Sequence, residues 1–565
     1  MNHSISRILL LLIALGSFLG CERENVTRSG NTRSARTLDQ TAPELMKRAQ
    51  VPGMAVAVVE DDTLSTWIGG KADVETSEPV TGATVFEAAS LSKPVFAVLV
   101  MKLVEMKKLE LDTPLGRYMP RPYFADPRAA ALTPRMILSH RSGLPNWRPG
   151  GGELTLYYEP GTRFSYSGEG YVYLQRAIET VTGESLQSLA AKYIFDPLQM
   201  SSSSFVWRDE FANTKAWGHD DAGHKGERRH PPEALSAASL HTTAADMGRF
   251  VLGMFRRTVL VDDSVLTMLA PETPVPSNCA VCFPARDPGP DRQDLSWGLG
   301  YGLVDDSAHR YFFHWGDNGE FKSYLFGDDV GKRAVVILTN GSSGLSIAGD
   351  IASSAMETSL PLVPLEWLSY ERWDSPVQVA FHDILTSQGN RLPELDPEVL
   401  GEDQINALGY QLIRSDLYAA ATRVFLLGTE RKPNSSNAWD SLGESFALGG
   451  NRKKALESYR KSLEINPESD HAKAMITRLE QGLPIPPEEL KAFTGTYDLG
   501  DDLAVIRLTP SGLVIDCSTM ENATLLPIRQ DRFITKNYEV AFEIVRETGR
   551  IVRIEGGRVT VGHKR

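Results

Sequence analysis

Residues 86–93 read Phe86-Glu87-Ala88-Ala89-Ser90-Leu91-Ser92-Lys93, and the apolar stretch VFAVLVMKLVEMK follows at 95–107. The spacing of apolar residues in that stretch predicts a helix, with Ser90 and Lys93 at its start. Residues three apart share a helix face, so the Lys93 amine can reach the Ser90 hydroxyl. A serine at the start of a helix also turns its own backbone N–H outward, where it can hold a developing oxyanion. Nucleophile and base are one reading of this pattern; a serine that only caps the helix is the other.

Outward from there the chain alternates strand and helix signals. Residues 54–59 (MAVAVV) are short, apolar and β-branched, and Asp61-Asp62 separates them from a second run through Trp67 and Ile68, which predicts a hairpin. Helical periodicity returns over 171–182, and short strands are expected near 311–314, 323–326 and 334–339. Strands at both ends with helices between them imply an α/β (α+β) domain, an antiparallel sheet flanked by helices, over residues 41–360.

Three further segments stand in a definite order: 132–144 (LTPRMILSHRSGL), 160–168 (PGTRFSYSG) and 313–319 (FHWGDNG). With the Ser-x-x-Lys at 90–93 they resemble the serine β-lactamase-like and penicillin-binding-protein superfamily, in its class C β-lactamase and esterase branch, where Ser-x-x-Lys is a known element. The likeness runs through essentially all of 41–360. It implies Ser90 as nucleophile, with Lys93 and Tyr166 as proton-handling partners. Tyr166 falls on the tyrosine of the Tyr-x-Asn element, while Gly168 stands where asparagine is usual. His314 and Gly316 match the Lys-Thr-Gly element in its His-x-Gly form, on a strand expected to edge the cleft. The oxyanion would be held by the backbone N–H groups of Ser90 and Asp317. His140 is expected to serve in helix-end packing. Residues 297–302 (WGLGYG) read as entry to a strand and not as a dinucleotide loop, because no helix follows.

The resemblance implies an acyl-enzyme formed on an ester, amide or β-lactam carbonyl, with no metal or organic cofactor. A D-amino-acid peptidase or peptidoglycan-remodelling enzyme is the neighbouring reading. A catalytically inactive penicillin-recognising fold, acting as a scaffold at the cell envelope, is the rival from another class.

Composition narrows the field. A chain of 565 residues should divide into three or four domains. Its 42% hydrophobic and 23% charged residues are those of a globular protein. A net charge of −13 and a pI near 5.5 argue against nucleic-acid binding. The 11 histidines are scattered, without HExxH or paired Cys/His spacing, so no metal site is expected.

Arg7 precedes the apolar run 8–19 (ILLLLIALGSFL), which suits a signal peptide over 1–20. Phe18-Leu19-Gly20-Cys21 resembles the lipobox of bacterial lipoproteins, which implies lipidation at Cys21, export to the envelope or periplasm and a membrane anchor. Residues 21–40 are polar and read as a flexible tether. Cys279 and Cys282 form a CxxC within a Pro-rich stretch, expected to staple a loop as a disulfide.

Residues 361–400 read as a connector. Over 401–483 an internal repeat appears: Leu408 and Leu442, Gly409 and Gly443, Ala421 and Ala455, Phe425 and Tyr459, and Pro433 and Pro467 each lie 34 residues apart. This resembles tetratricopeptide repeats, which implies a protein-docking or self-association surface. Residues 487–565 alternate in short stretches between turn residues and predict a small all-β barrel-like domain.

Overall fold

The computed structural model describes residues 38–565 apart from 149–152, 227–228, 283, 285–286, 307–308, 394, 397–399, 501, 547 and 557. The expected signal peptide, Cys21 and the tether up to residue 37 lie outside the described residues. Residues 38–40, read as the end of that tether, instead open the helix Leu38–Arg48.

The strands of the first 340 residues are β1 (Gly53–Glu60), β2 (Thr63–Asp73), β3 (Glu78–Pro79), β4 (Phe86–Ala89), β5 (Leu240–Thr242), β6 (Thr273–Pro276), β7 (Asp291–Trp297), β8 (Gly302–Asp306), β9 (His309–Asp317), β10 (Lys322–Asp328) and β11 (Arg333–Thr339). One sheet orders them β3-β2-β1-β11-β10-β9-β8-β7-β6, and β4 pairs only with β5. Strands from the two ends of the domain meet at its centre: Val56 lies opposite Trp67 on β2 and opposite Ile337 on β11, both antiparallel.

Side chains alternate across a strand, and β1 is buried on both faces. Ala55, Ala57 and Val59 join a core shared with Val95, Leu99, Leu174 and Phe250 of the helices Ser92–Glu105, Gly168–Thr182 and Ala244–Phe255. Met54 and Val56 join a second core, with Leu345 and Ile351 of the helix Gly344–Ala355. Burial on both sides explains why β1 reads as an unbroken apolar run.

The stretch expected to be a connector is structured. It forms the helices Val363–Trp367 and Pro376–Thr386. Leu365, Trp367 and Trp373 belong to the second core, where Trp367 packs its ring against Phe164 and Trp315. Successive helices then run Glu402–Arg414, Tyr418–Arg431, Ser436–Leu448, Arg452–Ile465 and Asp470–Gln481.

Residues 495–564 form a closed eight-stranded barrel. Two of its strands, Gly495–Asp498 and Met520–Pro527, carry no clear alternation and were not expected from the sequence. The barrel abuts the last helix through Leu526 and Ile534, which share a core with Met475 and Leu479.

Candidate active site

Ser90, expected at the start of the helix, lies in the turn between β4 and the helix Ser92–Glu105, two residues before its first turn. Two features hold that turn. Ala89 takes the left-handed conformation, with φ of 48°, which is strained for a residue with a Cβ. Ser92 secures it by donating to the Ala89 carbonyl at 2.6 Å and accepting the Leu240 N–H at 3.0 Å. Lys93, on the first turn, is fully buried, whereas Ser90 is partly exposed.

The Lys93 Nζ sits 3.0 Å from Ser90 Oγ and 2.8 Å from the Ala237 carbonyl. The Tyr166 ring centroid is 4.7 Å from it and that of Tyr171 5.6 Å. No carboxylate lies within ion-pair distance of Lys93 among the described residues. Burial without a counter-ion lowers its proton affinity well below that of an ordinary lysine.

Tyr166 is buried as well, and its hydroxyl forms no hydrogen bond of good geometry. Burial pushes the phenol well above its usual range, and the nearby Ser90 hydroxyl offsets this only in part. Tyr166 therefore stands as a neutral phenol beside an amine of lowered proton affinity.

His140 packs its ring 4.3 Å from that of Tyr166 and takes the Ser167 N–H on Nδ1 at 3.0 Å. It thereby ties its own loop to the start of the helix Gly168–Thr182. Burial, with Lys93 and His314 close by, holds it well below the ordinary histidine range.

His314 lies on β9, as expected, and is fully buried, with its ring 6.0 Å from that of Tyr166 and its Nδ1 2.7 Å from the Trp315 carbonyl. Burial, seconded by the Lys93 charge and opposed by the Trp315 carbonyl, lowers its pKa to about 3. His314 is thus neutral at any working pH.

Gly316 and Gly168 are both glycine for lack of space. A Cβ on Gly316 would come within 2.2 Å of Ser323 Oγ and 2.5 Å of the Ala88 carbonyl, because β9 presses against β4 there. On Gly168 it would meet the Asn146 carbonyl at 2.8 Å and the Trp147 ring at 3.0 Å. The Gly168 N–H donates to the Asn146 Oδ1 at 3.0 Å. Asn146 and Trp147 thus occupy the ground above the position where the Tyr-x-Asn element has its asparagine.

The side chain of Asp317, at the end of β9, is held by Lys322 Nζ at 2.5 Å, by the Gly319 N–H at 2.9 Å and by the Tyr370 hydroxyl at 2.7 Å. Beside it, Asn318 Nδ2 donates to Glu87 Oε2 at 2.8 Å, and Lys215 Nζ lies 2.7 Å from Glu87 Oε1. Burial alone would raise the Glu87 carboxyl, but Lys215, Asn318 and Arg229 together hold it low. Through Asn318, Glu87 fastens the nucleophile strand to the turn after β9.

The sequence reading had missed Glu87, Lys215 and Tyr370. Glu87 was visible inside the decisive octapeptide, but nothing in the sequence pairs it with a lysine 128 positions away. Cys279 and Cys282 are joined as a disulfide. Their loop borders the site: the Tyr166 N–H donates to the Ala280 carbonyl at 2.9 Å, and the Tyr158 hydroxyl to the Cys282 carbonyl at 2.9 Å.

Comparison with known proteins agrees with this geometry. A family model described as "Beta-lactamase" matches residues 38–355. Penicillin-binding protein 4 of Amycolatopsis lactamdurans is 27% identical over 325 residues, covering 53% of this chain and 84% of that protein. The unguisins hydrolase ungD of Aspergillus violaceofuscus is 28% identical over 244 residues, covering 37% and 43%. Esterase EstB of Burkholderia gladioli is 29% identical over 192 residues, covering 29% and 49%. The chain thus spans less than half the length of the latter two relatives.

Proposed function

The chain belongs to the beta-lactamase family, and from that membership we propose that it is a serine hydrolase working through an acyl-enzyme at Ser90. The observation that carries the reading is the buried Lys93 amine, 3.0 Å from Ser90 Oγ and without a carboxylate partner among the described residues. A buried charge without a counter-ion is costly, so the amine gives up its proton more readily than an ordinary lysine and can serve as a base.

Lys93 accepts the Ser90 proton as Oγ attacks the substrate carbonyl. The backbone N–H groups of Ser90 and Asp317 receive the oxyanion. Tyr166 protonates the leaving group and is recharged by the Lys93 ammonium, which faces its ring. Water then attacks the acyl carbonyl as Lys93 takes one of its protons, and the same groups deliver that proton to Ser90 Oγ as the acid departs. Lys93 is the base in this scheme because burial disfavours the Tyr166 phenolate.

The substrate class we favour is a short-chain ester. Amide and β-lactam carbonyls, including D-peptides, are the second reading, favoured by the likeness to penicillin-binding protein 4 over most of that protein's length. Labelling with a fluorophosphonate probe tests the mechanism. Ser90→Ala is expected to abolish labelling and hydrolysis, and Lys93→Ala to reduce both by about a thousandfold or more. Near-normal turnover by the Ser90→Ala protein sinks the scheme and leaves the scaffold reading.

The helices over 402–465 we read as two tetratricopeptide-type pairs that dock a protein partner or a second copy. The 34-residue spacing supports this, as do the rings of Phe425 and Tyr459, seated against Gly409 and Gly443 on the preceding helices. So short an array needs cover at its ends, and the barrel supplies it at one. Export and anchoring through a lipidated Cys21 rest on the sequence alone. Among the described residues no helix is long and apolar enough to cross a membrane.

A further inference from the structure

The helix Glu402–Arg414 packs on the catalytic body and borders a half-open cavity of about 390 Å³, which Ser90 does not line. That volume lies within the range of small-molecule sites. Its walls come from three separate parts of the chain: Asp221 and Ser346 from the catalytic body, Tyr370 from the segment after it, and Tyr410, Gln411 and Arg414 from the helix.

The polar groups are unevenly satisfied. Asp221 Oδ2 accepts from Gln411 Nε2 at 3.2 Å, but its Oδ1 is buried with no protein donor. The Ser346 hydroxyl is likewise buried with no partner. Buried polar atoms in folded proteins nearly always have partners, so two orphans on residues of one cavity wall call for an explanation. Arg414 is exposed and makes no ion pair among the described residues, yet its charge reaches Asp221. Burial pushes the Asp221 carboxyl up, which a cation bound against it would reverse. Glu371, also on the lining, adds a second negative group that favours an ammonium.

We propose that this cavity is a second ligand site, distinct from the Ser90 cleft, for a small amine-carboxylate zwitterion such as a free amino acid or dipeptide. Its ammonium would meet Asp221 Oδ1 and the Ser346 hydroxyl, and its carboxylate the Arg414 guanidinium, a geometry that suits carboxylates. Tyr370 and Tyr410 flank the space between. The site depends on the appended helices and does not rest on the reading of Ser90.

Isothermal titration of the full chain with L-alanyl-L-alanine, its N-acetyl derivative and its C-terminal amide tests the assignment. The dipeptide should bind saturably. Each blocked form should bind on the order of tenfold or more weakly, since each loses one charge-assisted contact. Asp221→Asn should weaken the dipeptide and its amide but not the N-acetyl form, and Arg414→Gln should weaken the dipeptide and its N-acetyl form but not the amide. Both variants are checked for wild-type circular dichroism and thermal unfolding. Absence of saturable binding up to about 10 mM, where any affinity would be weaker than the millimolar scale, or equal binding by wild type and folded variants, overturns the proposal.

Discussion

The Tyr370 hydroxyl donates to the carboxylate of Asp317 over 2.7 Å, joining a residue beyond the family match to the last residue of β9. Asp317 is the residue whose N–H is proposed for the oxyanion, so Tyr370 would act as a positioning residue for it. Lys322 and the Gly319 N–H also hold that carboxylate, and it is partly exposed, so the loss should be modest. Tyr370→Phe is expected to lower kcat about three- to tenfold, the cost of one net hydrogen bond. KM for a small ester should change less than about twofold. An unchanged kcat would show that Tyr370 does not position the site.

The modular arrangement suggested by the sequence implies that a chain ending at Leu360 keeps its activity. The packing implies otherwise. Such a cut removes Leu365, Trp367 and Trp373 from the core that backs Phe164 and Trp315. Deleting a large buried aromatic side chain costs about 3–5 kcal/mol, comparable to the whole stability of many domains. The truncated protein should be insoluble or melt well below the full chain. A soluble, normally melting fragment with full esterase turnover would restore the modular view.

Local signals made the core of this protein readable. The unbroken apolar run of β1, the turn at Asp61-Asp62 and the helix after Lys93 all depend on neighbours within a few residues, and all appear where expected. So does the juxtaposition of Ser90 and Lys93, although Ser90 sits in the turn before the helix and not on it. The contacts that escaped were long-range. Glu87 with Lys215, Tyr166 with Ala280 and Asp317 with Tyr370 are pairings that folding alone creates. Burial was also hard to foresee at His314: alternation puts a residue on one face of a strand, but not how deep that face lies.

Rate should depend on pH through Lys93 and not through the histidines. The amine must be neutral to accept the Ser90 proton, and its neutral fraction grows as pH rises through its pKa. Burial places that pKa well below the ordinary lysine range. Log kcat/KM should therefore rise with unit slope and level off at a pH below that of an exposed lysine. His314, with a pKa of about 3, should add no inflection between roughly pH 5 and 8, where free histidine titrates. Whatever its effect on the rate, His314→Gln is expected to leave the shape of the profile unaltered. An inflection near the ordinary histidine value that disappears in His314→Gln would contradict the assignment.

Substrate preference follows from what Gly168 and His314 cannot offer. Gly168 has no side chain to bond a substrate amide, and the Asn146 carbonyl and Trp147 ring leave no room for one. His314 is buried and neutral, so it presents no fixed charge to a substrate carboxylate. A missing hydrogen bond costs about 0.5–1.5 kcal/mol, and up to about 3 kcal/mol where a charge is involved. Those losses fall on β-lactams and D-peptides, which carry both an amide and a carboxylate, and they spare a neutral ester. Together they amount to a preference on the order of ten- to a thousandfold. Gly168→Asn is a poor probe, because the clash would disturb the helix start as well as the substrate. The comparison therefore belongs on the wild-type enzyme, with kcat/KM measured for a p-nitrophenyl short-chain ester and a chromogenic cephalosporin. The ester should be favoured by at least about tenfold, at the low end of that range. A clear preference for the cephalosporin would mean that other side chains, such as Asn146, supply the contacts that Gly168 and His314 lack.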